Sequence, residues 1–305
     1  MTLWSSLSPP ARDALAAALP RANLGRARAI GEGYGSVAFR VPDPTGDWSI
    51  RLARSEADWA VADLEREARL LPLLEREITS VETPRDARIV RDDGGAFVAA
   101  AHRFAAGRPA DEPWSRQRPL RGARRAELAQ GIAAFLRQLH DVPASRAQRA
   151  GVRTVDLWRD RYVPLIAETL PLLPRKSRAW LGAEAAAFER GGGTERAPRV
   201  LIHGDIAAPH LLLDGDLRLA AVIDFGDALV ADPALDFAGI LNNFSAGFLD
   251  EVLAHYGPTD PDAARRTAFY IEVAPIFQVV YGDRVRGGAE RRAGVRRIAE
   301  RAGHR

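Results

Sequence analysis

His203-Gly-Asp205-Ile-Ala-Ala-Pro-His210 and Ile223-Asp224-Phe225-Gly226-Asp227, with Asp224 fourteen residues beyond His210, form the most telling segment of this 305-residue chain. An acid, a second polar group five positions later and an Asp-Phe-Gly behind a short hairpin make up the catalytic segment of phosphoryl-transfer proteins. That chemistry asks a protein mainly to position groups and to neutralise charge. Asp205 is placed to orient an acceptor hydroxyl and take its proton, and Asp224 to bind a metal ion bridging nucleotide phosphates. One position breaks the usual spelling: His210 stands where Asn is normal. Mg²⁺ prefers oxygen ligands, whereas imidazole suits softer ions such as Mn²⁺. Three roles for His210 stay open: direct metal ligand, contact through a water, or a brace for the loop.

The surrounding residues support a hairpin. An apolar run from Val200 delivers His203-Gly-Asp205, and Leu211–Leu213 pairs with Leu219–Ile223 around Asp214-Gly215. Such a hairpin brings residues 205, 210 and 224 to one rim. His203 reads as a residue bonded to the local backbone, and Asp236 as a brace or cap for the loop. Asp227 is placed to face an acceptor amine.

Upstream, the pattern is that of strands with one long helix inserted. A short helix over 9–19 starts at Pro9-Pro10. Arg28–Ile30, a glycine cluster and Ser36–Val41 read as strand, turn and strand, and Trp48–Leu52 alternates again. The cluster Gly31-Glu-Gly33-Tyr-Gly35-Ser36 precedes a strand, so it does not suit a dinucleotide fingerprint, which opens a helix. A Walker A loop needs a lysine, and Lys176 is the only one in the chain. As a flap over phosphates, with Gly33 and Ser36 as contacts, the cluster fits the downstream motif; alone it is an ordinary turn. Arg51 occupies the strand position where kinase-like lobes carry a lysine that contacts phosphates and pairs with a helical glutamate. Arginine keeps the charge but changes geometry and reach. Glu67, in the helix expected over 57–75, is the better-placed partner, with Glu65 second. Ala87–Val90 and Ala96–Ala100 flank Asp92-Asp93-Gly94-Gly95 as a hairpin, and Ala100 and His102 complete the expected nucleotide contacts.

Beyond Gly107 the pattern turns helical, over 125–140, 155–173, 177–189, 248–256, 263–280 and 290–302. Glu272 and Tyr281, in or beside the long apolar stretch, are the candidate acceptor contacts. The division falls near 104: residues 1–104 as a nucleotide-binding lobe and 105–305 as a catalytic and substrate-binding lobe, with a ligand expected in the cleft between them. The fold class is α+β, a small β-rich lobe followed by a larger helical one.

Composition narrows the rest. Hydrophobic residues make up 47% and charged residues 27%, with a net charge of +3, which suits a globular protein. Of 43 basic residues, 42 are arginine, a bias that genome composition explains. They are interspersed with acids, as at Arg66-Glu67 and Arg85-Asp86, rather than gathered in one patch, so no nucleic-acid partner is expected. No run approaches the ~18 apolar residues of a membrane helix, so no membrane partner is expected either. The first residues do not read as a secretion signal, and a cytoplasmic location is expected. The absence of cysteine excludes disulfides, thiolate catalysis and Cys-ligated zinc. Nothing sets the oligomeric state, and a monomer is expected.

Taken together, His203-Gly-Asp205…His210, Ile223-Asp224-Phe-Gly-Asp227 and Asp232-Pro-Ala-Leu-Asp236-Phe-Ala resemble the aminoglycoside phosphotransferase family of antibiotic and small-molecule kinases. Leu139-His140-Asp-Val-Pro143 is similar to its helix-ending Leu-His-x-x-Pro segment. The resemblance implies a two-lobed protein-kinase-like fold, ATP or GTP as phosphate donor, and Mg²⁺, with Mn²⁺ as the alternative. It implies Asp205 as the catalytic aspartate and Asp224, with His210 beside it, as metal ligand. His at position 210 is similar to the branches that modify the 2″-hydroxyl of aminoglycosides or the 2′-hydroxyl of macrolides; most aminoglycoside 3′-kinases keep Asn. The leading expectation is therefore a kinase that phosphorylates a hydroxyl of an aminoglycoside-type antibiotic and so confers resistance. The alternatives are a macrolide 2′-phosphotransferase or a metabolic small-molecule kinase of the same fold. A catalytically silent nucleotide-binding protein and a metal-dependent hydrolase built on His203, Asp205, His210 and Asp224 are the readings from other classes.

Overall fold

The structure, a computed structural model, describes residues 4–54, 59–111, 121–282 and 288–303. The chain packs as two compact units: one of residues 1–131, 149–152 and 208–227, the other of 132–148, 153–207 and 228–305.

In the first unit, Ser8 caps α1 (Pro9–Ala18) by accepting the Ala11 N–H, with prolines at the first two helical positions. Five strands follow: β1 (Arg28–Glu32), β2 (Ser36–Val41), β3 (Trp48–Ala53), β4 (Arg88–Arg91) and β5 (Phe97–Arg103). They form an antiparallel sheet in the order β1-β2-β3-β5-β4. Because side chains alternate along a strand, each strand serves two faces. Val37, Phe39, Val41, Trp48, Ile50 and Leu52 bury one face with Leu15 and Leu19 of α1. The other face packs against α2 (Ala60–Glu77) through Leu64, Ala68 and Ala100. Arg51 lies between Ile50 and Leu52, so the same alternation turns it toward α2. Pro72 lies inside α2 without ending it.

The unit also holds β6 (Arg108–Pro109) and the hairpin β8 (Leu211–Leu213) with β9 (Leu219–Val222), in the order β6-β8-β9. Leu211 pairs with Val222 and Leu212 with Ala221, the pairing expected around Asp214-Gly215. Leu212 and Ala221 bury that hairpin with Ala105. Helix α3 (Gly122–Asp141) belongs to this unit up to Gly131 and to the second from Ile132.

The second unit is mainly helical: α4 (Ala144–Arg149, up to Gln148), α5 (Val163–Thr169), α6 (Arg175–Arg190), α7 (Ala234–Asn243), α8 (Ala246–Tyr256), α9 (Ala263–Val273), α10 (Pro275–Tyr281) and α11 (Gly288–Gly303). A two-stranded ladder joins β7 (Val200–Ile202) to β10 (Leu229–Ala231). Its core is aromatic: Phe188 stacks on Phe269 with ring centres 3.8 Å apart, and Tyr162 stacks on Tyr270 at 5.0 Å. Two expected helices are subdivided. The stretch expected over 263–280 breaks at Ala274, because Pro275 cannot donate the next helical hydrogen bond. The stretch expected over 155–173 is a wide turn over Leu157–Tyr162, then α5, then a tight turn over Leu170–Leu172 that contains Pro171. Helices α4 and α7 are additions to the expected set. Among the described residues no helix is long and apolar enough to cross a membrane.

Candidate active site

In the first unit the structure gathers five of the expected residues into one ion cluster. Arg51, on β3, donates from Nη1 to Glu67 Oε2 at 2.7 Å and to Asp224 Oδ1 at 2.8 Å. Its Nε and Nη2 both lie 3.2 Å from Ser36 Oγ on the neighbouring strand. His210 Nε2 lies 3.4 Å from Asp224 Oδ2. Glu67 is buried, whereas Asp224 is 37% exposed, so one carboxylate anchors the cluster and the other is open to a ligand.

Helix α2 also holds the Asp-Phe-Gly segment. Glu67 Oε1 accepts the Phe225 N–H at 3.0 Å, and Arg66 Nη2 donates to the Gly226 carbonyl at 2.8 Å. Asp224 itself sits at a φ of 66°, an uncommon conformation for a residue with a Cβ. Backbone strain of this kind persists where surrounding contacts over-determine it. Here those contacts come from α2 and Arg51. Glu65, the second choice as partner of Arg51, pairs instead with Arg69 and Arg91.

The electrostatics follow from two carboxylates around one guanidinium. Burial alone would lower the Arg51 pKa, but Asp224 and Glu67 outweigh it and hold the group firmly charged. Burial pushes the Glu67 carboxyl up, opposed by Arg51 and by the Phe225 N–H, while the charge of Asp224 pushes the same way as burial.

The other expected nucleotide contacts lie nearby in the sheet. Ala100 pairs with Arg51 across β5 and β3, and His102 with Ser49. The His102 ring donates from Nδ1 to the Arg103 carbonyl at 2.9 Å. Burial lowers its pKa to about 4, with Arg51 adding to the effect, so the ring is neutral at pH 7 and offers Nε2 as an acceptor. Gly33 donates its N–H to the Ser36 carbonyl at 2.8 Å, closing the glycine turn. Asp227 ends the short turn Phe225–Asp227 and is exposed, and its charge reaches Arg51.

As a metal site, Asp224 and His210 supply one carboxylate and one imidazole facing each other. Among the described residues no group of three or more acidic, His or Cys side chains is set to hold a metal. Two protein donors suit a small hard cation that keeps waters and takes its remaining ligands from phosphates. The carboxylate fits such an ion, and the imidazole suits a softer one such as Mn²⁺.

Asp205, exposed, belongs to the second unit, where α7 brackets its loop on both sides. Before it, Asp236 accepts the His203 N–H at 2.9 Å and the Gly204 N–H at 2.8 Å. Behind Asp236, His140 Nε2 lies at 3.1 Å, and its Nδ1 is 3.0 Å from the Tyr256 hydroxyl. Burial opposes ionisation of Asp236, yet the His140 bond and the backbone donors keep its carboxyl below the ordinary range. His203 Nδ1 accepts the Asp205 N–H at 3.3 Å, a local backbone role as expected. After Asp205, Asn243 Nδ2 donates to the Ile206 carbonyl at 3.3 Å. A Cβ on Gly239 would stand 2.4 Å from that carbonyl oxygen, so only glycine lets helix and loop approach this closely. Gly204, at a φ of 81°, makes the turn into Asp205.

The two remaining acceptor candidates are also in the second unit. Glu272 is half-buried at the end of α9, and its carbonyl accepts from Arg301. Tyr281, at the end of α10, stacks on Phe277. Three groups escaped the sequence reading: Arg66, Gly239 and Asn243. Their residue types are ordinary for helices, and only the fold shows which backbone atoms they meet.

Comparison with known proteins follows the same lines. The structure is similar to the GDP and kanamycin complex of APH(2″)-IIia, with 24% identity, a TM-score of 0.82, and 96% of this chain and 98% of that one covered. It is similar to the macrolide 2′-phosphotransferase MphH from Brachybacterium faecium, with 22% identity, a TM-score of 0.69 and coverage of 93% and 96%. It is also similar to ADP-bound aminoglycoside phosphotransferase APH(2″)-Ib, with 20% identity, a TM-score of 0.72 and 97% of each chain covered. These likenesses establish the α+β, kinase-like fold. The sequence pattern of the phosphotransferase enzyme family, APH, matches residues 26–269. That match spans most of the chain and contains the glycine turn, Arg51, Glu67, Asp205, His210 and Asp224, and by it the chain belongs to the phosphotransferase enzyme family.

Proposed function

We infer that this enzyme is a small-molecule kinase that moves the γ-phosphate of ATP or GTP to a hydroxyl of an aminoglycoside-type antibiotic, the chemistry of a resistance enzyme. The observation that carries the kinase reading is Glu67, whose two oxygens bind Arg51 and the Phe225 N–H at once. One helix thereby ties the strand cation to the Asp-Phe-Gly segment, the pairing that phosphoryl transfer in kinase folds depends on. Residues 1–104 serve as the nucleotide-binding lobe, with Gly33, Ser36, Arg51, Glu67, Ala100 and His102 as contacts. Residues 105–305 serve as the catalytic and acceptor-binding lobe.

In the reaction, the acceptor oxygen bonds to the γ-phosphorus, the bond to the β–γ bridging oxygen breaks, and the nucleoside diphosphate leaves. Asp205 orients the acceptor hydroxyl and takes its proton. Arg51 neutralises phosphate charge. Asp224 and His210 would hold Mg²⁺, or Mn²⁺, and such an ion would supply neutralisation of the charge that develops on the phosphates.

Asp227, Glu272 and Tyr281 are assigned to the acceptor. Exposed Asp227 suits an ammonium group, and aminoglycosides are the molecules named for two of the similar structures above. A macrolide acceptor is the second reading, and the burial of two acids favours it. Asp232 and Asp236 are fully buried and committed to Arg266 and His140, so they add nothing to a polycation site. Phosphate transfer from ATP or GTP to a panel of aminoglycosides and macrolides, followed by mass spectrometry, separates the two. Asp205→Ala is expected to lower kcat by roughly 10²–10⁴-fold. Near-normal turnover in that variant overturns the kinase reading.

A further inference from the structure

The cation that usually serves a kinase nucleotide has, in this chain, a third partner. Arg51 Nη1 is shared between Glu67 and Asp224, at 2.7 and 2.8 Å. The second oxygen of Asp224 faces His210 at 3.4 Å. Both oxygens of the carboxylate assigned to the metal are thus engaged from inside the protein. The Arg51 end of this contact is well covered, with its side chain 18% exposed and anchored by buried Glu67, while the Asp224 side chain is 37% exposed. A guanidinium carries several fixed donors and can hold two carboxylates and a hydroxyl at once, as Arg51 does with Ser36. A lysine in its place would be a single point charge without that fork. A divalent cation approaching Asp224 from the Oδ1 side meets the Arg51 charge, and like charges at such range repel.

We propose that Arg51 competes with the divalent cation for Asp224, so that the metal enters with the nucleotide phosphates and not ahead of them. Phosphate oxygens offer the guanidinium a bidentate acceptor, and turning Arg51 toward them releases Asp224 Oδ1 for the metal. Arg51 is then a gate on metal uptake as well as a phosphate contact. Among the described residues no third acidic or His side chain joins Asp224 and His210 in a metal-holding group, so these two would leave most of a metal's coordination to water and phosphate. The competition has meaning only if Asp224 is the metal carboxylate, and so rests on the function proposed above.

The test is Mn²⁺ affinity of nucleotide-free protein, read by electron paramagnetic resonance. Arg51→Met is expected to bind Mn²⁺ about tenfold more tightly than the parent, the low end of coupling seen for close charge pairs. Arg51→Lys, which keeps the charge but lacks the fork, is expected to fall between them, and it carries the comparison should the methionine variant not fold. Arg54→Met removes a charge three residues along without touching Asp224, and its affinity is expected to stay within about twofold of the parent, as for a screened surface charge. Adding Asp224→Asn to Arg51→Met is expected to abolish the gain. Arg51 variants no tighter than the parent, an equal gain in Arg54→Met, or a gain that survives Asp224→Asn each overturn the competition. Thermal stabilisation of the parent by ADP in EDTA is measured alongside. A protein that ADP stabilises but whose Arg51 variants bind Mn²⁺ like the parent loses the competition alone. A protein that no nucleotide stabilises loses the kinase reading itself.

Discussion

Two carboxylates of the same motif region live by opposite rules. Asp236 is fully buried, and its oxygens take two backbone N–H groups and the ring of His140. Asp224 is over a third exposed, and its two oxygens meet the side chains of Arg51 and His210. Backbone donors cannot leave without moving the chain, so Asp236 is a brace. Side-chain partners such as Arg51 and His210 can turn to another acceptor by rotamer changes alone. A buried acid held by backbone donors is fixed by the chain, whereas a part-exposed acid held by side chains is fixed only by their rotamers.

The most severe way to break that contrast is to delete each acid in turn. Asp236→Ala is expected to cost about 3–5 kcal/mol in urea unfolding, because it leaves buried donors unpaired. Asp224→Ala is expected to cost less than about 1 kcal/mol while removing metal-dependent turnover, since it gives up a part-exposed ion pair. Equal stability losses in the two variants would abolish the distinction.

A milder perturbation pushes the braced loop without removing a charge. Gly239→Ala places a methyl against the Ile206 carbonyl and is expected to lower stability by about 1–3 kcal/mol, the usual range for overpacking. Because Asp205 shifts with its loop, kcat is expected to fall by about 10–100-fold with the nucleotide KM unchanged. A change confined to KM would place Gly239 outside the positioning of Asp205.

The finest test uses pH. Asp236 is held below the ordinary carboxylate range in the fold, so the unfolded chain binds its proton more readily. Its stabilising contribution is complete above the unfolded pKa near 3.9, about the model-peptide value, and is lost as pH falls through the folded one. The stability gap between the parent and Asp236→Asn is therefore expected to narrow below about pH 4. A gap that stays constant from pH 7 to pH 3 would show that Asp236 acts through shape and not through charge.

Much of this architecture was legible in the order of residues. Two-residue alternation in Ser36–Val41 and Trp48–Leu52 marks strands and puts Arg51 on the face opposite Ile50 and Leu52. The glycine pair at 94–95 and the Asp214-Gly215 turn marked the hairpins that the fold contains. Helix breaks were less legible, as α9 and α10 show. Apolar periodicity runs through Pro275 almost undisturbed, and whether a proline kinks a helix or ends it depends on what the neighbouring turn packs against. Sequence spacing likewise could not tell that of Asp227, Asp232 and Asp236 only Asp227 is exposed.

The sequence by itself determined the family, the spacing from Asp205 to Asp224 and the pairing of Arg51 with Glu67, because each depends on local pattern and short loops. Only the tertiary structure decided which acids are buried, which helix residues grip the Asp205 loop, and that Arg51 reaches Asp224 as well. Arg51 and Asp224 are 173 positions apart, and His140 and Asp236 are 96 apart. Burial and charge pairing over such separations are properties of the folded packing, which no local run of residues records.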